Sequence, residues 1–259
     1  PADAAGATGE WLARLDSPEA VAGVPGPGRW LSIHYLPTAL FSLKTSLATS
    51  SVGRTLLLPT PYAIKMAMVD AAFRLGLAEH ICADLVGRLA RVSVRIAPPA
   101  AAVVTHTFVK IRQESREGDR LRPYGPNIAY REFVHHAGLW RWAFDLGSGD
   151  AELASLLVRL APRVTYVGKR GSFVQFVGME RLVELTEEFT VPLEPGAPWR
   201  MPDRWHAAVL DDFGPEADLA TLSSYSPLTP KRDRHRRFVH TLVPLGLISS
   251  GPGFSEYRS

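Results

Sequence analysis

The 259-residue sequence predicts an α+β fold. Strand-like segments alternate with two amphipathic helices, and one long pair of strands is interrupted by a polar segment that contains glycine and proline. The predicted order is strand, helix, strand, strand with a hairpin excursion, helix and strand. This is the βαββαβ order of ferredoxin-like (RRM-like) domains, here with a long hairpin and a smaller β-rich C-terminal portion.

The first strand and helix have clear local signals. An apolar strand is predicted at 30–36, and Thr60 and Pro61 suit the N-cap and first position of a helix. Gly76 is a plausible end of that helix. Apolar residues recur between these limits at i, i+3 and i+4, namely Ile64, Ala67, Met68, Ala71, Ala72 and Leu75. One face of the helix is therefore predicted to pack on the core.

Residues 101–136 are predicted to form one long hairpin, after an alternating strand at 91–97. Its strands, 101–113 and 128–136, contain β-branched and aromatic residues and should persist in the free protein. The tip, 114–126, combines Gly, Pro and mixed charges without an apolar stripe. We expect it to be poorly ordered in the free protein, because it cannot bury enough surface.

The rest of the chain divides into a helix, a turn and a tail. Asp150 is predicted to cap a helix whose buried stripe consists of Leu153, Leu156, Leu157 and Leu160. The segment 162–178 reads as a strand, a basic turn at 168–171 and a second strand. From about 191 the sequence is proline-rich. We therefore expect a flexible extension at 1–28, a main domain at 29–185 and a C-terminal portion at 186–259.

Composition narrows the class of protein. The formal charge of +3 and the pI near 9.2 are mildly basic and do not by themselves indicate nucleic acid. The single cysteine, Cys82, allows no intramolecular disulfide and fits a reducing cytoplasm. No run approaches the length of a membrane span, and no secretory signal is evident. We expect a cytoplasmic protein without a membrane partner, a metal or a cofactor.

The distribution of charge is more informative than the total. Residues 20–69 contain no Asp or Glu, although average composition would place roughly five there. The same stretch carries Arg29, Lys44, Arg54 and Lys65. An apolar strand accounts for part of this bias but not for the polar residues 42–55. Their hydroxyl groups, Arg54 and the following helix N-terminus predict a phosphate-binding corner.

Two segments resemble a known family. They are "LSIHYLPTALFSLKTSLATSSVGRTLLLPTPYAIKMAMVDAA" (31–72) and "LVRLAPRVTYVGKRGSF" (157–173). Both resemble the Cas-five family of CRISPR-associated proteins, which belongs to a superfamily of repeat-associated RNA-binding proteins built on ferredoxin-like domains. The resemblance covers about 30–178, and its most specific part is the loop, the Pro-Thr-Pro entry and the helix.

The resemblance implies a non-catalytic subunit of a type I Cascade effector in antiviral defence. Such a subunit holds the 5′ handle of the guide RNA, contacts the backbone and large subunits, and meets target DNA only through the complex. Its first helix and preceding loop form a palm, which Lys44, Arg54 and Tyr62 match by position. Its long hairpin, the thumb, matches 105–131 and grips RNA and the neighbouring backbone subunit.

RNA contacts are predicted where basic and aromatic side chains occur together, because single-stranded RNA is held by phosphate contacts and base stacking. Phe108 is expected in the core rather than on RNA, Trp140 and Trp142 are expected to pack, and Tyr124 is open between the two roles. The predicted RNA-binding residues are Lys44, Ser46, Ser50, Arg54, Tyr62 and Lys65 in the palm, Lys110, Arg112, Arg116, Arg120, Arg122, Tyr124 and Arg131 in the hairpin, and Lys169 and Arg170 in the basic turn.

Two other functions stay open. One subtype of the family is itself a metal-independent endoribonuclease, a chemistry that needs a base and an acid, usually His, Tyr or Lys. The candidates His34, His106, His135, His136, Tyr62 and Lys169 show no diagnostic spacing, and His135 and His136 should point to opposite faces of a strand. No catalytic residue is therefore predicted. The third possibility is a scaffold module that acts through protein contacts alone.

Overall fold

A computed structural model describes residues 28–45, 52–114, 124–147, 150–194, 196, 198–223 and 226–259. Within these residues the helices are α1 (Pro61–Arg74), α2 (Glu79–Ala90), α3 (Ala151–Leu160) and α4 (Leu219–Leu222). The strands are β1 (Trp30–Pro37), β2 (Val52–Gly53), β3 (Val94–Ala97), β4 (Ala101–Glu114), β5 (Tyr124–Ala137), β6 (Trp140–Asp145), β7 (Val174–Leu182), β8 (Val191–Pro192), β9 (His206–Phe213), β10 (Arg236–Val243), β11 (Gly246–Gly251) and β12 (Phe254–Arg258). The expected extension at 1–28 lies, except for Gly28, outside the described residues.

The strands form three sheets in which nearly all neighbours are antiparallel. The first sheet has the order β3-β6-β1-β7, the second β8-β10-β9, and the third β11-β12-β4-β5-β2, in which only β2 and β5 are parallel. Helix α1 packs against α2, α3 and β9. The predicted α+β class is confirmed. Of the helices in the described part of the chain, none combines the length and the apolar composition that crossing a bilayer requires.

Helix α1 begins and ends where its sequence signals predict. The Thr60 side chain accepts a hydrogen bond from the Ala63 amide at 3.2 Å, Pro61 is the first helical residue, and Gly76 follows with a φ of +79°. Eight of its fourteen residues are buried. The burial extends beyond one stripe because β9 packs on α1 in addition to the other helices.

Helix α2 was not predicted from the sequence. Its N-cap is Ala78, which has no side chain able to accept a hydrogen bond, and Gly87 lies in its interior. Its stability comes from tertiary packing, because Cys82, Leu85 and Leu89 are completely buried. Helix α3, in contrast, has the predicted cap, since Asp150 accepts a hydrogen bond from the Leu153 amide at 2.9 Å.

The long hairpin is confirmed, and its strands are longer than predicted. Strand β4 runs to Glu114 and β5 begins at Tyr124, with Glu114 opposite Tyr124. The remainder of the predicted tip, 115–123, lies outside the described residues. On the other side of β4, β12 pairs through Phe254 with Thr105 and extends the sheet toward β11.

Two other strand predictions need correction. Residues 161–163 form a 3₁₀ turn after α3, so the strand predicted from 162 is reduced to a bridge between Tyr166 and Phe173 before β7. A helical continuation explains the difference, because Pro162 suits the first turn of a helix and donates no hydrogen bond to a sheet. The basic turn itself is present, and Gly168 and Gly171 occupy positive φ values of +72° and +103° there. The strand predicted at 91–97 is limited to β3.

The end of β5 carries the two adjacent histidines on opposite faces, as predicted. His135 is exposed, whereas His136 is buried between the rings of Phe41 and Trp140, whose centroids are 5.8 and 4.8 Å away. His136 Nε2 lies 2.7 Å from the carbonyl oxygen of Leu57 and donates to it. Its Nδ1 is buried without a hydrogen-bond partner, so the site fits the neutral imidazole. Burial lowers the pKa of His136 to about 4.

Acid should therefore destabilise the fold through His136. Between about pH 6.5 and pH 4 the unfolded chain binds a proton that the folded chain excludes, so the free energy of unfolding falls as the pH falls through this window. We expect wild-type protein to lose about 3 kcal/mol more than His136→Gln between pH 7 and pH 4 in urea unfolding. His240→Gln, at an exposed position of β10, is the control and should lose as much as wild type. Parallel losses in wild type and His136→Gln would contradict the assignment.

Candidate nucleic-acid interface

One face of the β4–β5 hairpin changes from buried to exposed along its length. Paired residues share a face, so the register places His106 with Glu132, Phe108 with Tyr130, and Lys110 with Ile128 on the same side. We call this side, with Arg112, Glu114, Tyr124 and Pro126, the hairpin face. Nearer the body the same side consists of Ala102, Val104, Val134 and His136, which are at most 5% exposed.

The outer part of the hairpin face is aromatic and basic. Phe108 is 72% exposed, Ile128 66% and Tyr124 57%, and Lys110 and Arg112 are exposed beside them. The prediction that Phe108 belongs to the core is wrong. Alternation assigned its side correctly, but at this distance from the body that side of the hairpin is exposed, as Phe108 and Ile128 show. Tyr124 is likewise a surface residue.

A hydrogen-bonded cluster lies where the hairpin face meets the body. The Tyr130 hydroxyl is 2.7 Å from His106 Nδ1 and donates to Glu132 Oε1 at 3.1 Å, while His106 Nε2 is 3.1 Å from Ser255 Oγ on β12. Burial, followed by the Glu132 charge, raises the pKa of Tyr130, and Arg54 opposes that shift. His106 was considered from the sequence, but the cluster was not, because its members come from three strands.

Arg54 is held beside this cluster by its neighbours. Gly53 pairs with Arg131 in the short parallel contact of β2 with β5, and the Thr55 amide donates to Glu132 Oε2 at 2.9 Å. Arg54 itself is exposed. The structure therefore brings Arg54 to the base of the hairpin face. Arg131 lies on the opposite side of the hairpin, where its Nη1 donates to the Tyr130 carbonyl oxygen at 2.9 Å.

Lys44 and the basic turn lie around a different feature, a cleft of about 1200 Å³. Lys44 is bridged to Thr55, one residue from Arg54, and lines the cleft with Arg170 of the turn. Lys44, Lys169 and Arg170 are exposed. The predicted residues Ser46 and Ser50 of the loop, and Arg116, Arg120 and Arg122 of the tip, lie outside the described residues.

Tyr62 also lines the cleft but is partly enclosed. The Arg236 guanidinium carbon lies 4.6 Å from the centroid of its ring, and Phe213 meets it edge-on at 5.3 Å. Arg236 is in turn fixed by Asp211, whose Oδ2 accepts from Arg236 Nε at 2.7 Å. Burial raises the pKa of the Tyr62 hydroxyl. One face of the Tyr62 ring is therefore covered by the Arg236 guanidinium.

The prediction that Lys65 contacts RNA is wrong. Its side chain is completely buried, and its Nζ lies 2.6 Å from Asp212 Oδ1 on β9. Asp212 also accepts from Arg237 at 2.8 Å, and the Lys65 ammonium lies 5.4 Å from the Phe213 ring centroid. Burial lowers the pKa of Lys65, and Asp212 opposes that shift. A cation enclosed in this way reaches no phosphate and instead connects α1 to the C-terminal sheet.

The basic cluster at 231–237 is largely neutralised in the same manner. Arg234, Arg236 and Arg237 pair with Glu216, Asp211 and Asp212 respectively. These contacts join β10 to β9 and its following turn. They give the cluster a structural role.

No protein-family model matches this sequence, and no curated protein sequence matches it. Among solved structures, the chain is similar to a CRISPR protein from Archaeoglobus fulgidus, with 12% identity, a TM-score of 0.44 and coverage of 88% of this chain and 91% of that one. It is also similar to a Cas6 product complex, with 14% identity, a TM-score of 0.30 and coverage of 66% and 55%. At these values the similarity assigns no function to the chain.

The contact between Lys65 and Asp212 leads to a stability prediction. Removal of one partner of a buried ion pair leaves an uncompensated charge, so Asp212→Ala should lower the free energy of unfolding by about 3–5 kcal/mol. Lys65→Met should cost less, because Asp212 keeps Arg237 as a partner. Asp84→Ala, which removes an exposed partner of Arg88 on α2, should cost no more than about 0.5 kcal/mol. Urea unfolding at pH 7 gives all three values, and equal losses for Asp212→Ala and Asp84→Ala would refute this role.

Proposed function

We propose that this protein binds single-stranded RNA through the hairpin face and Arg54. The observation that supports the proposal is the exposed series of Phe108, Ile128 and Tyr124 with Lys110 and Arg112 beside it. Aromatic rings on a surface offer stacking to unpaired bases, worth about 1–3 kcal/mol per base, and neighbouring cations neutralise the phosphates between them. An isolated solvated hairpin gains nothing from exposing these rings.

In this proposal the protein is a non-catalytic Cascade subunit of the Cas-five type that holds the 5′ handle of a guide RNA. The sequence resemblance supports this finer assignment. So does the strand order β3-β6-β1-β7, which we interpret as a ferredoxin-like βαββαβ core with the β4–β5 hairpin inserted as a thumb. Residues 29–185 would form that domain and 186–259 a C-terminal portion that packs on it.

The proposed partners follow from the same assignment. Guide RNA occupies the hairpin face, and the backbone and large subunits of the effector contact the remaining surface of the hairpin and the body. Target DNA is met only through the assembled complex. Such a complex acts in the cytoplasm and needs no membrane contact.

Stacking and ionic contacts on the hairpin face should be separable by their salt dependence. Phe108→Ala should weaken binding of a fluorescein-labelled oligouridylate about tenfold with an unchanged salt slope, because it removes a stacking ring and no charge. Lys110→Gln with Arg112→Gln should lower the log–log salt slope by about 1.4, because two phosphate contacts are lost. Fluorescence anisotropy at several salt concentrations measures both.

Phe254→Ala is the matched control for this experiment. Phe254 is 41% exposed in the same sheet, and its pairing with Thr105 places it on the side opposite the hairpin face. Its removal should leave affinity unchanged. Equal affinity for wild type, Phe108→Ala and the double variant would refute RNA binding by the hairpin face.

An endoribonuclease is the second candidate function, and the His106–Tyr130–Glu132 cluster is the observation that favours it. Cleavage without a metal requires a group that takes the 2′-hydroxyl proton and another that protonates the leaving oxygen. A histidine hydrogen-bonded to a tyrosine beside Arg54 supplies the right residue types. The cluster is also consistent with a structural role, because both His106 nitrogens already have partners and the side chain is 18% exposed.

A cleavage assay separates the two functions. We expect purified protein to bind a repeat-containing precursor RNA and to leave it intact, with or without a chelator. Cleavage at one site that disappears in His106→Ala but persists in His240→Ala would establish the nuclease instead. Retained RNA binding by His106→Ala is the control that separates lost chemistry from lost affinity.

A further inference from the structure

The large cleft lies apart from the hairpin face and has an aromatic lining of its own. Helix α1, the turn at 166–170, β10 and α4 surround it, and its volume is about 1200 Å³. Tyr62, Phe73, Tyr166 and Phe238 contribute rings, and Phe73 is 43% exposed at the end of α1. A concave site of this size, lined by aromatic rings and a few polar groups, is large enough for a small organic ligand.

Most of the acidic groups around the cleft already have partners. Asp70 accepts from Arg74 at 2.8 Å, Asp211 accepts from Arg236 at 2.7 Å, and Asp218 accepts from the Thr221 amide at 2.7 Å. Glu79, the first residue of α2, is the remaining carboxylate of the lining.

The two exposed cations of the lining differ from most of its acidic groups in their ionic partners. Lys44 and Arg170 make no ion pair with any residue that the structure describes. Arg236, the third cation of the cleft, is committed to Asp211 and stacks on Tyr62. Once the ion pairs of Asp70 and Asp211 are set aside, Lys44 and Arg170 remain as cations of the lining and Glu79 and Asp218 as anions.

Backbone contacts bring one edge of the cleft, at Lys44, close to Arg54 at the base of the hairpin face. Lys44 is bridged to Thr55, and the Thr45 amide donates to the Arg54 carbonyl oxygen at 3.2 Å. Arg54 lies beside Tyr130 at the base of the hairpin face. A strand of RNA that leaves the hairpin face past Arg54 therefore meets Lys44 at the edge of the cleft.

We propose that the cleft receives an unpaired nucleobase of the bound RNA. This inference rests on the proposed RNA-binding function and adds a second site to it. Phe73 and Tyr166 supply apolar ring surface for the base, while Lys44 and Arg170 pair with the phosphates on either side of it. Stacking of this kind accepts any base, because every base offers a π-face. The remaining carboxylate, Glu79, is able to accept a hydrogen bond from an exocyclic amino group.

Photo-cross-linking locates the base directly. An oligouridylate that contains 4-thiouridine is irradiated on the full-length protein, and the attachment sites are mapped by mass spectrometry. We expect cross-links on Phe73, Tyr166 or their immediate neighbours in addition to those on the hairpin. Cross-links found only on the hairpin, in a sample that still binds the oligouridylate, would overturn the cleft proposal and leave the hairpin proposal standing.

A blocking variant gives an independent measurement. Ala220 is exposed on α4 and lines the cleft, so Ala220→Trp should fill it without disturbing the core. We expect this change to lower oligouridylate affinity about tenfold and to remove the cleft cross-links. Ala151→Trp, at an exposed position on α3 outside the cleft, should do neither. Phe73→Ala is the second test, because it removes a ring without adding volume, and thermal unfolding verifies that each variant is folded.

The remaining outcomes are also decisive. Unchanged RNA affinity in Ala220→Trp and Phe73→Ala, together with failed assembly with sibling subunits, would make the cleft a protein-docking site and overturn the proposal. Absence of any RNA binding, including binding that depends on Phe108, would remove the proposed function and this inference together. Loss of affinity in the cleft variants alone, with Phe108→Ala unaffected, would refute the hairpin face as the primary site.

Discussion

Alternation of side chains along β4 and β5 is the constraint on which the rest of the structure depends. Val104 and Val134 must face the core, and this requirement fixes the register of the whole hairpin. Beyond the body the same alternation directs Phe108 and Ile128 to the same side, where no core remains to cover them. The packing of Val104 and Val134 at the base of the hairpin therefore determines which side chains are exposed at its far end. A slip of one residue in either strand would turn Val104 or Val134 away from the core and would divide Phe108 and Ile128 between the two sides of the hairpin.

The C-terminal sheet is attached by charge as well as by apolar contact. Lys65 extends from α1 into that sheet and forms a buried ion pair with Asp212, which also accepts a hydrogen bond from the exposed Arg237 of β10. Exposed ion pairs contribute little to stability, whereas removal of one partner of a buried pair is strongly destabilising, so the Lys65–Asp212 contact holds α1 against this sheet. Because α1 and β10 are held in this relation, the cleft between them has a defined shape. The same contact explains why a helix expected to bury one stripe is enclosed on more than one side.

Local signals in the sequence were sufficient for the elements that carry them. Thr60 and Asp150 located two helices, and alternation located both strands of the hairpin. Predictions failed where contacts between distant parts of the chain determine whether a side chain is buried or exposed. From the sequence Lys65 was expected on the surface, but β9 covers it. Phe108 was expected in the core, but the hairpin carries it to an exposed position. The cluster around His106 combines residues of three strands, so the spacing of residues along the sequence could not predict it.

The pairing of β12 with β4 joins segments that are far apart in the sequence. Ser259 donates to the carbonyl oxygen of Ala100, 159 positions away, and β12 runs along β4 from that point. Contacts of such separation close large loops and form slowly, whereas the hairpin itself needs only neighbouring residues. During synthesis, β4 and β5 are therefore complete long before β12 emerges. Until then β4 presents an unpaired edge, which is the kind of strand that recruits other chains.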